Sequence, residues 1–350
     1  MRYNINLILF FLITNNLFAQ HDTTYYTEYN DKLIISLHNS FSRKYDISFN
    51  QNIMKDSISS VKAPIHYLAE GDVVSGFEID YDMFGISFDY KAVPPDNEAK
   101  KGKTTFTDIG LNVGGSKWRL ETGYKMYEGF YDANTKNYTK PFNDTTSPFY
   151  QNPNMSTKCT KAKFIYLTKP QKFSYDAAYS CGARQIKSAL SWILVCNLYY
   201  NKLSTDTSFV PFPIRKYYYD FSDFNGLNVL GLSVGGGFSA NLVSKRGLLL
   251  NITMALEPES QWRKYHFASG FSTRRNYLAM SGDLRASFGY NAKRFFCSVS
   301  SIGDYTNYNS GQLNISNSFI SGEFTIGWRF KVKKPEFYKK FEETKIYKML

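Results

Sequence analysis

The sequence predicts an all-β fold, an antiparallel transmembrane β-barrel with an even number of strands, twelve to fourteen. Side chains alternate apolar and polar along a dozen short segments, as strands with one face to lipid and one to a watery interior require. The chain opens with an export-type signal, and no later apolar run reaches the roughly 20 residues a spanning helix needs; without such a helix only a closed barrel satisfies every backbone group in a bilayer. Aromatic residues make up 17% of the 350, with 28 Tyr and 29 Phe, and barrels use such rings as girdles at both interfaces. A soluble aromatic-rich sandwich is the competing fold.

Residues 1–19 place Arg2 ahead of the apolar run Leu7 to Ile13 and end on Ala19, which reads as a cleaved signal peptide. Gln20 in place of Cys argues against a lipid-anchored start. Residues 20–65 read as a periplasmic N-terminal segment, with a possible first strand at Lys32 to His38 that puts Leu33, Ile35 and Leu37 on one face. Asn39 to Lys62 shows no sustained period.

Residues 66–330 read as the barrel. Phe77, Ile79 and Tyr81 turn at Asp82-Met83 into Phe84, Ile86, Phe88 and Tyr90, a hairpin with one apolar face. After a loop from Ala92 to Thr104, Ile109, Leu111 and Val113 turn at Gly114-Gly115-Ser116 into Trp118, Leu120, Tyr124 and Met126. A long loop, 128–160, leads to a strand with Ile165 and Leu167. The most regular stretch is Lys172 to Tyr200: Phe173, Tyr175, Ala177 and Tyr179 alternate with polar residues, and then Leu190, Trp192, Leu194, Cys196, Leu198 and Tyr200 do the same. In the second half Leu230, Leu232, Val234 and Phe238 are followed by Leu248, Leu250, Ile252, Met254 and Leu256. Beyond a loop from Pro258 to Arg274 come Leu278 to Tyr290, then Phe295, Cys297 and Val299, and last Ile320 to Phe330. Short and long connections alternate up to Tyr200 and then lose parity; a strand hidden in residues 206–221 plus the early one at 32–38 would restore it at fourteen.

Opposite the apolar faces lie charges of both signs: Glu78, Asp80, Asp89, Asp108, Glu121, Asp176, Asp283 and Glu323 against Arg119, Lys125, Arg285 and Arg329. They predict either a salt-bridged, partly filled lumen or a cation-favouring pore. If the turn at Lys169-Pro170-Gln171 has three residues, Cys159 faces Cys181 across a hairpin and a disulfide becomes possible; a turn of two or four residues slips the register and removes the pair. Cys196 and Cys297 read as small apolar residues on the outer wall.

Gly102-Lys103-Thr104 is not a phosphate loop, because Asn97 stands where the first Gly is required and a strand follows instead of a helix. No His or Cys spacing builds a metal site, and no cofactor is expected. A Ser-His pair around His266, beside Glu257, Glu259, Ser260 and Ser269, would make an outer-membrane lipid-modifying enzyme. The formal charge of +12 points to anionic lipid headgroups as partners rather than nucleic acid, since the chain is exported. A protein partner outside or in the periplasm, met by the long loops, is a third reading. The basic tail 331–350 contains Pro335, which would open a short helix with Phe337, Tyr338 and Phe341 on one side.

Several stretches, KFSYDAAY followed by QIKSALSW, GKTTFTDIGL and YKMYEGFY, resemble the signatures of a Bacteroidetes outer-membrane barrel family, domain of unknown function 4421. The resemblance runs over about His66 to Phe330. Its recurrent positions fall on Gly102, Lys103, Thr104, Asp108, Tyr127, Gly129, Phe130, Tyr131, Phe173, Ser174, Tyr175, Gln185, Ser188 and Ser191. It implies residence in the bacterial outer membrane, a barrel fold and no particular activity.

Overall fold

The computed structural model describes residues 22–51, 64–70, 73–91, 98–143, 145–309, 313–344 and 347; the signal at 1–19 lies outside them. The strands, in chain order, are β1 (Tyr26–Glu28), β2 (Lys32–Gln51), β3 (Ile65–Glu70), β4 (Val74–Tyr81), β5 (Phe84–Lys91), β6 (Thr105–Gly114), β7 (Trp118–Asp132) and β8 (Tyr150–Leu167). They continue as β9 (Ala183–Gln185), β10 (Ala189–Ser204), β11 (Phe224–Val243), β12 (Leu248–Phe267), β13 (Ser272–Asn291), β14 (Phe295–Asn309) and β15 (Leu313–Lys331). Among the described residues twelve of them, β2, β4 to β8 and β10 to β15, form an antiparallel ring that closes where β15 pairs with β2 along its whole length. β3 continues the line of β4 upward between β2 and β7. The barrel wall therefore begins at Lys32, not at residue 66. Among the described residues no helix is long and apolar enough to cross a membrane.

The alternation of β10 sorts its side chains cleanly. Leu190, Trp192, Leu194, Leu198 and Tyr200 point outward, with Trp192 59% exposed, while Ile193, Val195, Asn197 and Tyr199 are buried inside. Leu230, Leu232 and Val234 on β11, Ile252, Met254 and Leu256 on β12, and Ile320, Phe324 and Trp328 on β15 continue the outer belt. Cys196 and Cys297 lie on the same outer wall, both part-exposed. A ring of large apolar side chains facing away from the protein matches a hydrocarbon layer. The strands outrun that layer: β11, β12 and β13 have 20 residues each, where about 9–11 suffice to span.

Above the belt the pattern inverts. A bulge beside Gly322–Glu323, opposite Ser40 and Ser42, shifts the parity of β2. Beyond it Tyr45, Ile47 and Phe49 point inward and are buried, while Lys44, Asp46 and Ser48 take the outer wall. This is why residues 39–51 carry no single period. Above the apolar belt polar side chains take the outer wall and the apolar ones turn into the barrel mouth. The connection 205–223 fills that mouth as short 3₁₀ turns at Phe212–Tyr217 and Tyr219–Phe221, not as a hidden strand. Phe209, Val210, Ile214 and Tyr218 are buried among Phe49, Tyr67, Phe224 and Tyr265. The Tyr67 hydroxyl donates to the Phe209 carbonyl at 2.7 Å, and the Tyr218 hydroxyl to that of Phe49 at 3.2 Å.

The other end has short turns at 82–83, 115–117, 244–247 and 292–294, and one long connection, 168–188. That connection corrects the reading of Phe173 to Tyr179 as a wall strand. It folds up into the base of the barrel, where Phe173, Tyr175 and Ala177 are fully buried, and β9 within it pairs with β1 from the N-terminal segment. β8 therefore pairs with β10, and Cys159 faces Asn201 in that ladder. Cys181 sits in the plug against Ile34 and Phe296. Both thiols are free, so the disulfide does not form.

The helix Glu336–Glu342 follows Pro335 beneath the β4–β5 turn. Tyr338 and Tyr347 both donate to the Asp82 carboxylate, at 2.8 and 2.6 Å. Burial and that carboxylate raise both phenols above their ordinary titration range.

Candidate functional site

Between plug and mouth lies a cavity of about 360 Å³, whose wall contains nine carboxylates and five Lys or Arg side chains among the described residues. Two guanidinium groups organise the lower half. Arg285 spans Glu121 (Nη2 to Oε2, 2.9 Å) and Asp283 (Nε to Oδ1, 3.4 Å) and also donates to the Tyr175 hydroxyl at 3.0 Å. Arg119 contacts Glu121 at 3.3 Å and pairs with Asp176 of the plug. Lys163 pairs with Asp283, Lys161 with Asp304 at 3.5 Å, and Lys125 with Asp108 at 3.2 Å. His38 Nε2 lies 2.6 Å from Asp89. Glu78 accepts from Asn112 at 3.2 Å, Glu323 from Ser321 at 2.7 Å, and Asp80 is buried below them. Most of these charges are met by an opposite charge or a hydrogen bond, as burial demands, while Asp80 Oδ2, Glu259 Oε2 and Arg119 Nε have no hydrogen-bond partner among the described residues.

Five charged residues of this wall escape a reading by short segments: Lys161, Lys163, Glu257, Glu259 and Asp304. Their signal was present. Glu257, Glu259, Gln261 and Arg263 alternate with Leu256, Pro258, Ser260 and Trp262 straight through the supposed loop at Pro258. Pro258 does mark a defect, since the β11–β12 ladder is interrupted between Ser233–Glu259 and Gly236–Leu256. The same alternation separates His266 from the two carboxylates placed beside it. His266 is on the outer wall of β12 with Asn228 as its neighbour at 3.3 Å, and Glu257 and Glu259 face the opposite way, into the chamber.

The plug is held together by its own Gln185 and tied to the wall through Asn241, Asn291, Arg329 and Ser191. Gln185 Oε1 accepts from the Ser174 amide and from Asn241, both at 3.0 Å, and its Nε2 donates to the carbonyls of Lys172 and Lys187 at 2.7 and 3.0 Å. Arg329 donates to the Cys181 carbonyl at 2.7 and 3.0 Å and to Asn291 at 2.8 Å, with Tyr29 stacked on its guanidinium. Ser188 accepts from the Val243 amide and Ser191 from that of Lys169.

The remaining motif residues lock the upper wall. Gly129 sits at a bulge in β7 with φ +87°, and a Cβ there would overlap the Lys103 carbonyl oxygen. Thr104 Oγ1 donates to the Gly129 carbonyl at 2.8 Å, Gly102 has φ +79°, and Tyr127 and Phe130 enter the apolar cluster while Tyr131 packs on Phe149. Gly129→Val is expected to destabilise the barrel by about 1–3 kcal/mol from backbone strain alone, with the overlap in addition; an unfolding midpoint equal to that of the wild type would refute this.

One part of the wall is split. The β13–β14 ladder ends at Gly282–Tyr305, and above it Ser272 to Ser281 have no strand on that side among the described residues. The chamber wall reaches this seam at Ser281, Gly282, Tyr305 and Thr306. Arg263 spans it from within, its guanidinium 4.0 Å from the centre of the Tyr277 ring and 3.4 Å from the Asn307 carbonyl.

No curated protein matches the chain. Among solved structures it is similar to the outer-membrane protease OmpT of Escherichia coli, at 8% identity over 87% of this chain and 98% of that one, with a TM-score of 0.41. It is also similar to the toluene transporter TodX of P. putida (6% identity, 87% and 92% covered, TM-score 0.30). The translocator domain of the autotransporter NalP from Neisseria meningitidis gives 10% identity, 85% and 88% covered, and a TM-score of 0.30. Likenesses this loose say nothing about activity. A family model matches residues 20–330, nearly the whole chain, and the protein belongs to the family it describes, domain of unknown function DUF4421.

Proposed function

We propose that this protein is an outer-membrane channel held shut by its own chain. The observation that carries the reading is axial closure at both ends around a charged chamber: β1 and residues 168–188 fill the base, and residues 205–223 fill the mouth. The apolar outer belt and the signal-like start support an outer-membrane location, and the family motifs support a Bacteroidetes source. The excess of carboxylates in the chamber wall favours cations once the path is open.

The test is conductance in a planar bilayer. Wild-type protein should be silent, and a variant lacking residues 22–31, with 170–186 and 207–221 each replaced by a short Gly-Ser link, should conduct with a preference for cations. Steady conductance by the wild type would reject the closed state. Silence of the deletion variant, in protein whose gel mobility still shifts on boiling, would leave a purely structural barrel.

A further inference from the structure

The outer wall carries a row of cations that nothing in the chamber uses. The strand registers place Lys158 of β8 opposite Lys202 of β10, Lys202 opposite Asn228 of β11, Asn228 opposite Lys264 of β12, and Lys264 opposite Arg274 of β13. Five adjacent strands thus present four positive charges and one amide along one line. All five fall on the outward parity of their strands, and Lys158, Lys202 and Arg274 are exposed. The charges of Lys202 and Lys264 both reach His266, which lies on the same face one step above.

Two features make this more than scattered surface lysine. Like charges directly opposite on neighbouring strands repel, and here they do so twice, at Lys158–Lys202 and at Lys264–Arg274. Among the described residues none of the four has a carboxylate partner, and repulsion of this kind calls for an external anion. The row also follows the upper margin of the apolar belt. Tyr200, Leu230 and Trp262 are the last exposed apolar side chains before Lys202, Asn228 and Lys264, and Trp and Tyr mark the headgroup level.

We propose that Lys158, Lys202, Asn228, Lys264 and Arg274 form a binding site for the phosphates of an outer-leaflet lipid headgroup. The inference rests on the membrane reading above and specifies its lipid partner. Four strand spacings of about 4.8 Å give the row a width of roughly 19 Å, enough for more than one phosphate, so the fitting ligand is a glycolipid that carries two. Acyl chains of such a lipid lie down the wall over Leu230, Leu232, Met254 and Leu256.

The experiment uses the full-length barrel in a nonionic detergent, with a diphosphoryl glycolipid and its dephosphorylated form as probes and bound lipid read by native mass spectrometry. The diphosphoryl lipid should bind the wild type. Binding should weaken roughly tenfold or more in K202Q/K264Q, and should be unchanged in K293Q/R294Q, which alters the opposite rim. Equal binding by K202Q/K264Q, or equal binding of the dephosphorylated lipid, would overturn the proposal. Displacement by millimolar inorganic phosphate would also overturn it, by making the row a site for free anions. Gel mobility with and without boiling is run on each variant. A wild type that shows no shift would remove the membrane reading itself, which separates that failure from a failure of the lipid site.

Discussion

Replacing Arg285 with Ala should lower the stability of the barrel by about 3 kcal/mol, more than any other single change in the chamber. The guanidinium is shared between Glu121 and Asp283, both mostly buried, and it also holds the Tyr175 hydroxyl of the plug. Without it Glu121 retains only Arg119, at 3.3 Å, and Asp283 only Lys163. Removing one partner of a buried pair costs more than the pair contributes, because the remaining charge stays desolvated; the adjoining chamber limits the cost by admitting water. Arg285→Lys keeps the charge but not the fork, and should fall between. The double change Arg285→Met with Glu121→Gln should cost less than the two single changes added together, since it leaves no orphaned charge. The measurement is the temperature at which the compact band disappears in gel mobility, checked by circular dichroism. An Arg285→Ala midpoint equal to the wild type would show that the network is not a structural element.

Gln185→Leu should release the plug while leaving the belt intact. The amide is buried and engages Ser174, Asn241, Lys172 and Lys187 at once. Leucine is close in size but leaves a backbone N–H, three carbonyls (Tyr25, Lys172 and Lys187) and the Asn241 amide without that partner, at about 1–3 kcal/mol for each buried group left unpaired. Because β9, which contains Gln185, is the strand on which β1 lies, the N-terminal segment should come loose with it. The expected result is protease cleavage near residues 22–31 in folded barrels at enzyme levels that spare the wild type. Resistance equal to the wild type would mean that Arg329 and the buried rings suffice to hold the plug.

Both residues show how far the sequence could be read. Arg285 stands opposite Leu284 and Ala286, and its inward direction follows from period two alone. The outer belt of β10 to β13 was legible for the same reason. Phe173, Tyr175 and Ala177 were not, although they alternate as well as any wall strand. Alternation reports that one face of a segment is dry, and the packed interior of a plug is as dry as lipid. β2 was obscured differently, since its bulge exchanges the two faces halfway along while the wet side passes from the lumen to the outer wall. The partners of Gln185, and the lining up of Lys158, Lys202, Lys264 and Arg274, depend on registers between segments far apart in sequence. Those registers are set by loop lengths and bulges that local patterns do not contain.

The closure of β15 on β2 has a consequence for biogenesis. All nineteen residues of β15 pair with β2, so the first and last wall strands meet across almost the full length of the chain. Loop-closure entropy delays such distant contacts, and until they form two long edges lack hydrogen-bond partners, a state a bilayer does not tolerate. Closing the ring therefore waits for β15, the last stretch of the wall to be made. A chain truncated before Leu313 loses that whole seam and is expected to give no compact band in unboiled gel samples; a truncated chain that still shifts on boiling would refute this.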